Sequence, residues 1–361
     1  MTEGVQYAGE FNLQQASLFS PNGEITDLLT DVALVEINLY EDIFKNSMSG
    51  SLVIADTKNI ITKLPIIGQE KLSLKILTPS LTEKEDIIDF SENYFSVYKV
   101  NNTTEISSGA RAFELHFIST ESIRNTRKRV SKSYVNTKAN IGEIVFDLLA
   151  EDINGIQTSK EVFVEETVGT RNIVIPNSHP YTAVTRLTKE AVSKSGSPHY
   201  VFFENKNGLH FVSLQSLYEK EVRAKFHGGE KATNEEYMGG DPDSGRIPQA
   251  YRRIIDYNIN TKKDLLINSS AGMFGGRVIE HNIFSKKFAV KTFNYFDDED
   301  FQSNIRTENG RVYSTNVLGK MDDQLNEEVT NSKISLIPTS KDRNDVDKAF
   351  EKGTPNRQYD T

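Results

Sequence analysis

The sequence predicts a mainly β protein of the α+β class, with two β-rich regions on either side of a helical insert. Three observations support this fold class. Residues 9–120 alternate apolar and polar side chains, which is typical of half-buried strands. Residues 121–235 carry apolar side chains at helical spacing. Strand character then returns beyond Met238–Pro248, a linker rich in Gly, Pro and Asp.

The first β-rich region holds evenly spaced strands that suggest a small antiparallel barrel or sandwich. Its first strand places Val35, Ile37 and Leu39 on one face. We expect Gly50 at a turn before the second strand, and the polar segment Asn101–Arg111 to separate the last two strands. The predicted strands are Val32–Phe44, Ser51–Asp56, Lys71–Leu77, Phe95–Asn101 and Ala112–Ser119.

The insert should contain two amphipathic helices. The first has Asn140 as a candidate N-cap and Asn154-Gly155 as a stop. The second has Pro180 in its first turn and Gly196 at its C-terminal end. Their apolar stripes are Ile141, Ile144, Val145, Leu148 and Leu149 in the first helix, and Tyr181, Val184, Leu187, Ala191 and Val192 in the second.

A β-hairpin is predicted after these helices. Strands Tyr200–Glu204 and Leu209–Leu214 flank Asn207-Gly208, a dipeptide that favours tight turns. Across this hairpin we expect His199 and His210 to form a cross-strand pair.

The second β-rich region is less strongly patterned. Gly272–Gly276 is interpreted as a flexible turn between strands, and Ser332–Pro338 as a strand. The tail from about Asn304 is polar, and closing strands for a second barrel are not recognisable before Thr361. We therefore expect this region to be incomplete.

The amino-acid composition argues against several classes of function. The net charge of −9 disfavours general nucleic-acid binding, since phosphate neutralisation requires Lys and Arg. The chain has no cysteine, which excludes disulfides and thiolate chemistry. No apolar run approaches the roughly 20 residues of a membrane-spanning helix, and the N-terminus shows no secretory signal. No membrane anchor is expected.

One basic cluster departs from the acidic balance. The segment Arg124–Lys132, "RNTRKRVSK", contains five cationic residues. Two interpretations remain open: a contact for an anion or a partner, and a solvated linker or helix face.

The sequence predicts no catalytic, cofactor-binding or metal-binding residues. None of the six histidines pairs with another at zinc-ligand spacing. His227 with Glu230 could form half a metal site, but the glycines between them favour a turn. The acidic runs Thr82–Phe90 and Tyr295–Phe301 lack the calcium-loop pattern, and neither a nucleophile elbow nor a phosphate loop is present.

The stretch "LYEDIFKNSMSGSLVIADTKNIITKLPIIGQEKLSLKI", residues 39–76, resembles the first β domain of the central baseplate hub subunit of T-even-like contractile-tailed phages. Two further segments match that family in the same order: residues 175–217 resemble its middle α+β domain, and residues 274–295 the start of its second barrel. The family-motif residues in the first stretch are Glu41, Gly50, Asp56, Pro65, Gly68 and Glu70.

The resemblance implies two small antiparallel β-barrel-like tube domains, residues 1–122 and 238–361, with an α+β insert at 123–237. It implies a homotrimer whose ring of six tube domains joins a six-fold tail tube to a three-fold spike. Its partners would be the spike or needle protein, the tail tube or its initiator, and the tape measure protein. DNA would pass through the lumen without specific binding. The expected location is the tail baseplate of the virion, after synthesis in the host cytoplasm.

Two alternatives stay open. The first is a hub or spike component of a tailocin or a type VI-like contractile injection system, which shares the fold. The second is a cell-wall hydrolase, which a turnover assay on peptidoglycan would identify. The missing catalytic constellations favour a structural protein over an enzyme.

Overall fold

The computed structural model describes residues 11–56, 68–77, 87–107, 110–135, 139–170, 172–222, 254, 258, 264–282, 286–296 and 330–339. The chain divides into two compact units. The first comprises residues 1–127, 204–208 and 221–260, and the second comprises residues 128–203, 209–220 and 261–361. The predicted linker Met238–Pro248 lies outside the described residues.

A seven-stranded sheet that curls into a half-barrel forms the first unit. Its strands are β1 (Asn12–Phe19), β2 (Ile25–Asp27), β3 (Ala33–Tyr40), β4 (Ser49–Asp56), β5 (Lys71–Leu77), β6 (Ile88–Ser107) and β7 (Ala110–Ser119). Their order is β2-β1-β5-β6-β7-β4-β3, and every neighbouring pair is antiparallel. This sheet confirms the predicted mainly β fold class.

The core of the first unit lies on one face of this sheet, because its core side chains occupy every second position in β1, β4, β5 and β7. Phe95 lies at the centre, with its ring centroid 4.6 Å from that of Phe90 and 5.0 Å from that of Phe117. Burying each such side chain contributes about 1.5–3 kcal/mol. The buried core residues are Ala16, Leu18, Leu28, Met48, Leu52, Ile54, Leu72, Leu74, Phe90, Phe95, Val97, Phe113, Leu115 and Phe117.

The prediction of a turn-forming segment at Asn101–Arg111 is wrong, because strand pairing continues through most of these residues. The ladder between β6 and β7 includes Thr104 opposite Ala112 and Glu105 opposite Arg111. Three register irregularities absorb the extra residues of β6, as β-bulges do. Helix α1 (Thr120–Arg127) follows β7 directly.

The first predicted helix of the insert lies in the second unit. It consists of α2 (Ile141–Phe146), continued by a π-helical turn over Asp147–Glu151. Asn140 caps it as predicted: its side chain accepts a 2.8 Å hydrogen bond from the Glu143 backbone N–H, and the Glu143 carboxylate accepts one of 2.9 Å from the Asn140 N–H. Such a cap contributes about 1 kcal/mol.

The second predicted helix is shorter than expected. Helix α3 (Pro180–Thr188) begins at Pro180 as predicted, but it ends eight residues before Gly196. Beyond the helix, the backbone N–H of Ser193 donates to the Ser197 carbonyl, and the Ser193 side chain accepts from the Ser197 N–H. These local bonds compete with further helix. Gly196 instead closes a turn with a φ of +90°.

Two small sheets complete this part of the second unit. Their strands are β8 (Val130–Tyr134), β9 (Glu161–Val164), β10 (Ile173–Ser178), β11 (Tyr200–Asn205) and β12 (Gly208–Ser213), and α4 (Leu214–Tyr218) follows. The sheet orders are β10-β8 and β11-β12-β9. The predicted hairpin is confirmed, although its turn lies at Lys206-Asn207 and Gly208 already belongs to β12.

Both predicted apolar stripes are buried in the core of the second unit. Tyr181 packs edge-on against Phe202, with ring centroids 5.1 Å apart. Tyr200 packs against Phe211 at 5.0 Å. The periodicity of the sequence therefore identified the correct faces of both helices.

The C-terminal strands form a third sheet in the second unit. Helix α5 (Leu265–Ser270) precedes β13 (Gly275–Asn282), β14 (Lys287–Asn294) and β15 (Ile334–Thr339). The order is β14-β13-β15, with β13 and β15 parallel. Strand β15 confirms the predicted strand Ser332–Pro338. Residues 271–274, which include Gly272, connect a helix to a strand rather than two strands, and Gly275 and Gly276 already belong to β13. The division at residues 122 and 237 stays a prediction.

Candidate partner interface

Gly50 lies inside β4, so the prediction of a turn there is wrong. Its strand neighbours are Leu39 and Phe117. A Cβ at this position would lie 2.2 Å from the Asn38 carbonyl oxygen and 2.3 Å from the Phe117 ring. Glycine is therefore needed because two neighbours approach closely, not because the backbone bends.

Gly68 and Glu70 shape the entry to β5. Gly68 has a φ of +84°, a conformation that favours glycine. The buried Glu70 carboxylate accepts hydrogen bonds from the N–H groups of Gly68, at 2.9 Å, and Gln69, at 3.0 Å. The Glu70 carbonyl accepts from the Val97 N–H on β6. The two residues together fix this loop against the sheet.

Two further motif residues, Glu41 and Asp56, also contact backbone or lie in the sheet. The Glu41 carboxylate accepts a 2.8 Å hydrogen bond from the Lys206 N–H. Asp56 is buried at the end of β4, opposite Arg111. Pro65 lies outside the described residues. The described motif residues thus have structural contacts, and their place in a family motif stays a prediction.

The edge strand β3 presents the strongest docking features of the first unit. Its outer side has no neighbouring strand in the described sheet. Val35 is 63% exposed and Tyr40 54% exposed on β3, and Phe44 is 71% exposed just beyond it. Unpaired strand edges with exposed apolar side chains favour pairing with another chain. Sequence reasoning found the strand but not its edge position, since strand order depends on the whole sheet.

The basic cluster separates into two sets of residues. Within the second unit, Lys128 donates to the Ile153 carbonyl and the Gln157 side chain, and Arg129 donates to the Asn177 carbonyl. Arg124 and Arg127 instead lie in the first unit, on α1. The cluster therefore does not lie on a single helix, because α1 ends at Arg127.

Lys132 completes the second set through an ion-pair network. Its Nζ lies 2.6 Å from Asp147 Oδ2 and 3.0 Å from Asp152 Oδ2. The Tyr134 hydroxyl also donates to Asp147. Burial and the adjacent Asp147 carboxylate raise the pKa of Tyr134. These groups satisfy one another, which indicates a structural role.

The predicted pair of His199 and His210 is wrong. The Leu214 N–H donates to the His199 carbonyl, so His199 lies opposite Leu214. His210 instead stacks between Phe163 and Phe203, with ring centroids 4.5 and 4.9 Å away. Burial, with a smaller contribution from the Lys220 charge, lowers the pKa of His210 to about 4.

The described residues contain no group of three or more His, Cys, Asp or Glu side chains placed to hold a metal ion. The predicted half-site at His227 and Glu230 and the acidic residues 297–300 lie outside the described residues. In the part of the chain that the structure describes, no helix is long and apolar enough to cross a membrane.

Comparison with known proteins gives a curated phage relative. The chain is 20% identical over 307 residues to the probable baseplate hub protein gp334 of Vibrio phage KVP40, which covers 84% of this chain and 68% of the relative. No family model matches the chain.

Solved tail and secretion proteins are also similar. A tail protein from Neisseria meningitidis MC58 matches at 9% identity with a TM-score of 0.48, over 92% of this chain and 72% of that one. The E. coli c3393 protein, a component of the type VI secretion system, matches at 14% identity with a TM-score of 0.37, over 58% of this chain and 51% of that one.

The curated relative first indicates a class, the proteins of phage tails. Within that class it supports a baseplate hub-like protein. The predicted likeness to a phage baseplate hub protein is therefore confirmed, whereas the match of the individual segments 39–76, 175–217 and 274–295 stays a prediction.

Proposed function

We propose that this chain is a structural hub of a phage tail baseplate. The observation that carries the proposal is the likeness to a probable baseplate hub protein over 84% of the chain. The described fold is consistent with such a role, because its sheets have edge strands with which neighbouring proteins can pair. The chain would act by holding neighbouring tail proteins in place rather than by converting a substrate.

The finer proposal is a homotrimeric ring. A repeated contact between unlike surfaces closes into a ring when its rotation closes. The two edges of the first unit, β2 and β3, differ in length and side chains, so a contact between β2 of one copy and β3 of the next would join unlike surfaces. Three copies would place a spike or needle protein below and the tail tube or its initiator above. The tape measure protein is a further proposed partner.

Electron microscopy and native mass spectrometry of the full chain with its tail proteins test this ring. The expected result is a trimer with a central hole. A monomer or a dimer without a hole, in the presence of those partners, would reject the trimer. Location is tested separately by labelling the chain in purified virions, where the label should appear at the baseplate.

A hub of a tailocin or a type VI-like system would have the same fold. It would assemble into particles without a DNA-filled head, so the particle with which the chain copurifies separates the two. A structural role also predicts no turnover of peptidoglycan. Hydrolysis by the pure chain that a single substitution abolishes would favour the hydrolase alternative.

A further inference from the structure

The first unit contains an open cleft of about 540 Å³ between β5, β6 and α1. This volume lies in the range of roughly 300–1,000 Å³ that ligand sites occupy. The polar and charged side chains that line it include Lys71 from β5, Ser96 from β6, and Thr120, Arg124 and Arg127 from α1. Sequence reasoning located the two arginines but missed Lys71, which lies more than fifty residues earlier in the chain.

The charge of this cleft is opposite to that of the chain. Three cations and no carboxylate are among its described lining residues, although the chain carries 51 acidic and 42 basic residues. The two carboxylates nearest in sequence, those of Glu70 and Glu121, are buried. The Glu70 carboxylate accepts hydrogen bonds from the N–H groups of Gly68 and Gln69.

The hydroxyl protons of the cleft are donated within the chain, so the cations are the groups that can donate hydrogen bonds to a ligand. Thr120 donates its hydroxyl proton to the Tyr94 carbonyl at 2.7 Å. The 3.0 Å contact between the Ser96 and Thr120 hydroxyls then has Ser96 as the donor, so both protons are used. Lys71 Nζ lies 5.8 Å from the centre of the Tyr94 ring, a cation–π contact that holds it at the cleft.

We propose that this cleft binds an acidic peptide segment of a neighbouring protein subunit, with at least two Asp or Glu carboxylates. Guanidinium groups match carboxylates in a two-pronged geometry, and an ammonium group adds a further donor. Duplex DNA fits less well, because its phosphates require an extended basic surface rather than one small cleft. The proposal goes beyond the hub role and does not depend on ring formation.

The test uses the full chain and a fluorescent peptide with the sequence of residues 294–302, "NYFDDEDFQ", which contains four consecutive carboxylates. The matched control peptide is "NYFNNQNFQ", with the same length and no charge. Binding is measured by anisotropy at 50 and 300 mM salt. The test variant is Arg124→Gln/Arg127→Gln. Its control is Lys45→Gln/Lys99→Gln, which removes two exposed cations elsewhere in the first unit.

We expect the acidic peptide to bind, the amide peptide not to bind, and binding to weaken at high salt. The Arg124→Gln/Arg127→Gln variant should bind about tenfold or more weakly, which equals about 1.4 kcal/mol. The control variant should stay within twofold. Equal binding by both variants, or no binding by the unmodified chain, overturns the proposal. Duplex DNA that binds through Arg124 and Arg127 more tightly than the peptide also overturns it. None of these results bears on whether the chain forms a ring.

Discussion

Gly50→Val should lower the free energy of unfolding by about 1–3 kcal/mol, as overpacking of a close-packed core does. The physical reason is contact with Asn38 and Phe117, whose atoms lie 2.2 and 2.3 Å from the site of a new Cβ. Urea unfolding followed by circular dichroism measures the change.

Lys99→Val is the matched control for Gly50→Val. It introduces the same side chain into β6, where Lys99 is exposed, and should change the free energy of unfolding by less than about 0.5 kcal/mol. An equal loss in both variants would show that valine at a strand position, rather than the close approach to Phe117, causes the effect.

His210 should make the second unit less stable as the pH falls from about 6.5 to about 4. Its folded pKa of about 4 lies below the ordinary value of 6.5, so the unfolded state binds more protons in this window. The stability is complete above pH 6.5. Between pH 7 and pH 5 the loss should be about 2 kcal/mol.

The variant His210→Phe tests this assignment. Phenylalanine keeps a flat ring between Phe163 and Phe203 but cannot take up a proton. Urea unfolding at pH 7 and pH 5 should show a smaller pH dependence in the variant than in the unmodified chain. The same pH dependence in both proteins would assign the effect to other groups.

At the scale of elements, the sequence predicted correctly those features that depend on residues close together along the chain. The cap at Asn140 and the buried stripes of α2 and α3 follow from spacing alone. Gly50 and the extension of β6 beyond Asn101 depend instead on cross-strand partners, Phe117 and the residues of β7. The cleft was missed for the same reason, since the sheet brings Lys71 to Arg124 and Arg127.

The edge strand β3 should take part in self-association, if the proposed ring forms through it. Val35→Lys places a charge on this edge, which natural sheets use to prevent pairing. We expect a smaller trimer fraction in native mass spectrometry and an unchanged melting temperature, because Val35 is already exposed. Val174→Lys on β10 is the control, since Val174 is similarly exposed, at 55%. An unchanged trimer fraction in Val35→Lys would remove β3 from the interface.

At the scale of the whole molecule, charge and symmetry act together. Identical chains with a net charge of −9 repel one another, so any assembly needs local attraction that exceeds this long-range term. Apolar edges such as β3 and a cationic cleft can both supply it over short distances. Salt screens both the repulsion between chains and the attraction at the cleft. A trimer fraction that rises with salt would show that repulsion dominates, and one that falls would show that the cleft contacts dominate.

The same net charge predicts that the assembled protein does not retain DNA. A duplex that passes through a hub must not bind its wall, and an acidic surface repels phosphates. The trimer, or the isolated chain, should leave a 30-base-pair duplex unshifted in a gel at 150 mM salt. Any shift should appear only at low salt and should disappear in Arg124→Gln/Arg127→Gln, because the cleft is a cationic site that a phosphate could enter. Retardation at 150 mM salt that persists in this variant would contradict a non-binding channel while leaving the ring intact.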